Sequence, residues 1–94
     1  NNTQVVSSYK LYQNYPNPFN PVTKINYELP ITNYVLIKVF DVSGKEITTL
    51  VNQKQSAGSY SVEFDGSKFS SGILFYSLYL DENFKQTKKM LLVK

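Results

Sequence analysis

Apolar side chains in this chain return at every second position, and nowhere at the three-to-four spacing of an amphipathic helix. From Thr23 to Leu29, Ile25, Tyr27 and Leu29 fall on one face and Lys24, Asn26 and Glu28 on the other, which is the pattern of a half-buried strand. Pro30 stops that run, because proline has no N–H to give to a ladder. A second strand is predicted over Tyr34 to Asp41, with Val35, Ile37 and Val39 on one face and Lys38 on the other. Later, Tyr60, Val62 and Phe64 alternate with Ser59, Ser61 and Glu63 in the same way.

Turn formers divide these runs. Val42, Ser43, Gly44 and Lys45 read as a tight hairpin turn, since glycine accepts the positive φ that short connections require, and a partner strand is expected from Glu46 to Val51. The polar stretch from Asn52 to Gly58 is expected to be a longer connection, and Gly58 and Gly72 are assigned to turns with Gly44. Asp65 to Gly72 is a loop whose one large apolar residue, Phe69, should fold back as a plug at the end of the core. Ile73 to Leu80 is almost continuously apolar; Asp81, Glu82 and Asn83 then turn the chain into a last strand from Phe84 to Val93. Strand signals recurring every ~10 to 12 residues indicate an all-β fold, an immunoglobulin-like antiparallel β-sandwich of about seven strands. It occupies residues 9–94 as a single domain, with residues 1–8 as a linker remnant or an edge strand.

The segment from Tyr9 to Pro21 fits neither pattern. Pro16, Pro18 and Pro21 interrupt any ladder while Leu11, Tyr12, Tyr15 and Phe19 supply apolar bulk. Proline-rich runs can serve as extended ligands for a partner, but the reading adopted is a structural clasp of Tyr15, Pro16, Asn17, Pro18, Phe19, Asn20 and Pro21, with Tyr15 and Phe19 as buried anchors.

Composition narrows function more than it narrows fold. With no cysteine and no histidine, the chain lacks thiolate and imidazole nucleophiles, the Ser-His-Asp relay, and zinc sites built on sulfur or nitrogen. Asp41, Asp65 and the Asp81–Glu82 pair sit at strand ends, where carboxylates serve turns, and no loop has the density of oxygen ligands that calcium needs. No cofactor and no metal are expected, and the chain is not expected to be an enzyme. The net charge of +3 comes from lysine with no arginine, so the planar fork suited to phosphates and base edges is missing and nucleic acid is not an expected partner. No apolar run approaches the ~20 residues that span a bilayer. A polar start at Asn1 without methionine predicts a piece of a longer precursor.

The run LYQNYPNPFNPVTKINYELP, Leu11 to Pro30, resembles the opening of the type A C-terminal sorting domains of the type IX (Por) secretion system of Bacteroidetes. Similarity continues in VFDVSGKEITTL (Val39 to Leu50), AGSYSVEF (Ala57 to Phe64), SSGILFYSL (Ser70 to Leu78) and QTKKMLLVK (Gln86 to Lys94). Departures are Leu74, where an aromatic is common, and Asp81, Glu82 and Asn83, where glycine is frequent. The resemblance implies a non-catalytic label on an N-terminally fused cargo. On that resemblance, after export to the periplasm an outer-membrane translocon reads the label and a sortase-like peptidase often removes it or exchanges it for a surface anchor, leaving the cargo at the cell surface or in the medium.

Within that reading the last strand draws attention. Met90, Leu91, Leu92 and Val93 put apolar groups on both faces, and Lys85, Lys88, Lys89 and Lys94 surround them. These eight residues are the candidate surface for translocon recognition; the alternative is a central strand covered on both faces. Weak self-association is a further expectation for such a surface. Two other functions fit an all-β domain: a carbohydrate-binding module, with Tyr34, Phe40 and Tyr79 as stacking residues, or an immunoglobulin-like spacer of an extracellular enzyme.

Overall fold

The computed structural model describes residues 8–94, where seven strands form two antiparallel sheets. Strands β1 (Lys10–Leu11), β2 (Val22–Leu29) and β5 (Gly58–Asp65) make one sheet, in the order β1-β2-β5. Strands β3 (Asn33–Phe40), β4 (Glu46–Gln55), β6 (Gly72–Leu80) and β7 (Asn83–Leu92) make the other, in the order β4-β3-β6-β7. This is the sandwich that the alternation predicts. The reading of residues 1–8 as linker or edge strand lies, apart from Ser8, outside the described residues.

The core is what the period of two selects. Ile25, Tyr27 and Leu29 of β2, with Phe64 of β5, face Val35, Ile37 and Val39 of β3 and Leu74, Tyr76, Leu78 and Leu80 of β6, and all of them are buried. Strand β6 reads as almost continuously apolar because it lies between β3 and β7; its outward residues Phe75 and Tyr79 are half-buried by neighbouring side chains. Phe69 does plug one end, its ring stacked on Phe64 at 5.9 Å.

Two expectations need correction. The segment from Asn52 to Gly58 is not a long connection: β4 continues to Gln55 in register with β3, and only Ser56 and Ala57 link it to β5. Polar side chains misled here because this part of β4 is an edge whose outward residues meet water, so its strand has no apolar face to advertise. The second concerns the last strand. β7 is not central but the outer strand of its sheet, and it buries one face only.

Gly44 takes a φ of 89° in the β3–β4 turn, where Asp41 Oδ1 accepts hydrogen bonds from the Ser43 and Lys45 N–H groups at 2.9 and 3.1 Å. The β6–β7 turn reaches the same left-handed region without glycine, at Asp81 (φ 51°) and Glu82 (φ 72°).

Candidate functional site

The clasp is ordered, and its anchors are partly polar. Phe19 is buried at 2 % exposure, its ring edge-on to Phe64 at 5.9 Å. Tyr15 is no anchor: it is 78 % exposed, because its backbone pairs with Lys24 of β2 and that pairing turns the ring outward. Its place inside is taken by Asn14, whose N–H donates to the Tyr76 hydroxyl at 2.8 Å and whose Nδ2 donates to Thr23 Oγ1 at 3.0 Å and to the Pro16 carbonyl at 3.1 Å. Tyr76 in turn donates to the Tyr12 carbonyl at 2.6 Å. Burial pushes the Tyr76 hydroxyl up to about 12, so it remains a donor at any ordinary pH.

Around this knot the clasp joins both sheets. Tyr12 N–H donates to the Asn26 carbonyl and Tyr15 exchanges two backbone bonds with Lys24, all on β2. On the other side, Phe19 N–H donates to the Leu91 carbonyl at 3.0 Å, Val93 N–H donates to the Phe19 carbonyl at 2.9 Å, and the Leu91 N–H donates to Asn17 Oδ1 at 3.0 Å. Gln13 Nε2 donates to the Lys89 carbonyl at 2.7 Å. Pro16, Pro18, Asn20 and Pro21 shape the path between these contacts, and the Pro21 carbonyl accepts from Gly66 N–H at 2.7 Å. Sequence reasoning passed over Gly66. A Cβ there would come within 3.1 Å of Leu92 and 3.3 Å of Phe19, so any larger residue would press on these two side chains where the loop meets the clasp.

The eight terminal residues divide by this geometry. Met90 and Leu92 are wholly buried core residues and cannot meet a partner in the folded domain. Leu91 and Val93 point outward, 37 % and 45 % exposed, beside exposed Lys89, and Lys88 is half-buried on the inward side. Lys85 is the extra residue where the β6–β7 register shifts, and its carbonyl accepts from the Tyr9 hydroxyl at 3.2 Å. Lys94 is tied back, its Nζ donating to the Ser67 carbonyl at 2.6 Å and its N–H to Ser71 Oγ at 2.9 Å. The structure therefore brings together a strip of Lys89, Leu91 and Val93, next to exposed Ile73 on β6.

The carboxylates serve turns. Backbone N–H of Tyr34 and the Asn33 amide hold Asp81 ionised below the ordinary carboxylate range, and the Ser67 hydroxyl and N–H do the same for Asp65. Among the described residues no group of three or more Asp or Glu side chains converges. Of the aromatic residues suited to sugar stacking, Tyr34 is exposed with its hydroxyl committed to Asn52 Oδ1 at 2.6 Å. The ring of Tyr79 has Lys38 Nζ over its face at 5.8 Å and Phe84 at its edge, and Phe40 is half-buried.

Among the described residues the domain is a small sandwich with no converging carboxylates, a clasp bonded to both sheets and one lysine-flanked apolar strip. Residues 13–94 match the family of secretion system C-terminal sorting domains, and the chain belongs to that family. It is a non-catalytic secretion signal domain of a cargo protein, acting with the secretion machinery to carry fused cargo across the outer membrane. Comparison with curated proteins gives no match, and neither does comparison with solved structures.

Proposed function

We propose that the secretion machinery reads this domain through the outward strip of Lys89, Leu91 and Val93, with Lys85, Lys88 and Lys94 as flanking charge. The supporting observation is the division of labour at the end of β7: Met90 and Leu92 lock the strand into the core, and Leu91 and Val93, which alternate with them, stay exposed although apolar. Exposed aliphatics beside ammonium groups suit a partner surface that is apolar with an acidic rim. On this reading the translocon is the partner, a sortase-like peptidase then separates domain from cargo, and the cargo ends at the cell surface or in the medium.

Deleting Lys89–Lys94 is a poor test, since it also removes Met90 and Leu92 from the core. A cleaner one is the double variant Lys89→Glu, Leu91→Glu in the domain fused to a fluorescent reporter bearing an export signal, expressed in a bacterium with a type IX system. The expected result is reporter held in the periplasm while circular dichroism and Tm of the purified variant stay close to the parent. Normal delivery by that folded variant would overturn the reading.

A further inference from the structure

Among the described residues four strand edges bound the two sheets, and three of them are blunted. β1 is two residues long and runs toward Pro16, Pro18 and Pro21. β7 is covered by Gln13, Asn17 and Phe19, and shifts register at Lys85. β4 carries two register shifts, where Leu50 and Ile47 find no partner on β3. β5 has none of these devices. It pairs with β2 without a break from Gly58 to Asp65, and it contains no proline and no lysine, the two residues that most often guard an open edge.

The direction of its backbone groups follows from the ladder. Lys24 and Asn26 of β2 turn their backbone groups toward the clasp, and Pro21 bonds Gly66, so the odd-numbered residues of β2 bond β5. Their partners are Gly58, Tyr60, Val62 and Phe64. Ser59, Ser61 and Glu63 therefore direct N–H and C=O to the free side. Beneath that side lies a seam of half-buried apolar residues, Ile47 and Leu50 of β4, Tyr60 and Val62 of β5, and Phe69.

We propose that the free edge of β5 is a strand-addition site for an extended segment of a partner polypeptide in which aliphatic and basic residues alternate. A strand pairing there in antiparallel register sets every second side chain over the seam, which calls for aliphatics. The side chains between them lie on the outer face beside Glu63. Its carboxylate stands across from Lys24 of β2 without closing an ion pair, since Lys38–Glu46 is the only one among the described residues, and lysines on the incoming strand approach it from the free side. A second copy of β5 is a poor occupant, because it brings Glu63 and Asp65 and no cation. The site lies across the sandwich from β7 and does not depend on how β7 is read.

The test uses the full chain, isotopically labelled, with two end-blocked eight-residue peptides, one alternating valine with lysine and one alternating valine with glutamate. Amide hydrogen exchange followed by NMR should show Ser59, Ser61 and Glu63 slowed about tenfold by the lysine peptide and little by the glutamate peptide. Ser61→Pro removes a donor that faces the free side and no bond to β2, so it should abolish the slowing. Glu63→Lys should transfer the preference to the glutamate peptide, a result that holds whether or not Ser61→Pro folds. The proposal is overturned by an absence of slowing, or by equal slowing from both peptides. It is also overturned if the same amides slow with rising protein concentration alone, which would give the edge to a second copy.

Discussion

The two long sides of the sandwich are closed in opposite ways. On the side of β1 and β7, a proline-rich segment lies between the sheets, fills the gap with Leu11 and Phe19, and bonds its backbone to β2 on one hand and β7 on the other. On the side of β4 and β5, two successive strands leave the seam half-covered, and one edge keeps its backbone groups for water. The same problem, two apolar sheets meeting at a margin, is solved by the chain itself on one side and left for solvent on the other. The closed side should therefore hold the stability, and the open side should tolerate change.

The largest expected effect tests that asymmetry directly. Phe19→Ala empties a fully enclosed site against Phe64 and Gly66 and should cost about 3–5 kcal/mol. Val62→Ala on the open seam should cost less than half as much, since its side chain is already partly in water. Urea unfolding of both variants reads the difference. Equal losses would mean that the two margins contribute alike and that the clasp holds no more of the stability than the open seam does.

A second expectation sharpens which part of the clasp matters. Tyr76→Phe leaves the buried Asn14 N–H and Tyr12 carbonyl without their partner, at a cost of about 1–3 kcal/mol. The same hydroxyl predicts a pH dependence. Its ionisation is raised in the folded state from 10.0 to about 12, so the unfolded chain loses this proton first. Stability is then whole below pH 10 and falls between pH 10 and about 12, by about 2–3 kcal/mol over two pH units. Burial raises Tyr27 in the same direction, so Tyr76→Phe should flatten the alkaline fall only in part. Chemical denaturation at pH 8 and above 10 measures both quantities, and an unchanged alkaline slope in the variant would remove Tyr76 from the account.

How much of this was legible beforehand follows from which forces act locally. The strands β2, β3 and β5 could be read because burial of one face writes a period of two into the sequence. The end of β4 could not, since an edge strand with polar residues looks like a loop. In the clasp, prolines break the period, and nothing local says which side chains turn inward. Tyr15 was expected inside and lies out; Asn14, polar and unremarked, is buried at 2 % exposure because neighbouring Gln13 and Pro16 together with Thr23 and the remote Tyr76 satisfy it. Gly66 is legible only once Leu92 and Phe19 are seen against it. The paired apolar residues of β7 read as two-faced burial, but Leu91 and Val93 lie on the outer face of an edge strand, where no second layer covers them, and this is why the proposal of a recognition strip rests on them.

The smallest expected effect falls on the residue that sequence reasoning placed wrongly. Tyr15→Ala keeps the backbone pairing with Lys24, which uses main-chain atoms alone, and removes a ring that is 78 % exposed. The change in stability should stay within about 0.5 kcal/mol, as for surface positions generally. A ring kept outside at a conspicuous place in the clasp then has a different test: the Tyr15→Ala reporter fusion, stable by urea unfolding, followed for delivery in a secreting host. Loss of delivery with stability intact would make the outer surface of the clasp part of what is read, joining the strip on β7 along the margin they share through Phe19 and Leu91. Unimpaired delivery would leave the clasp as a fastening, with recognition confined to the last strand.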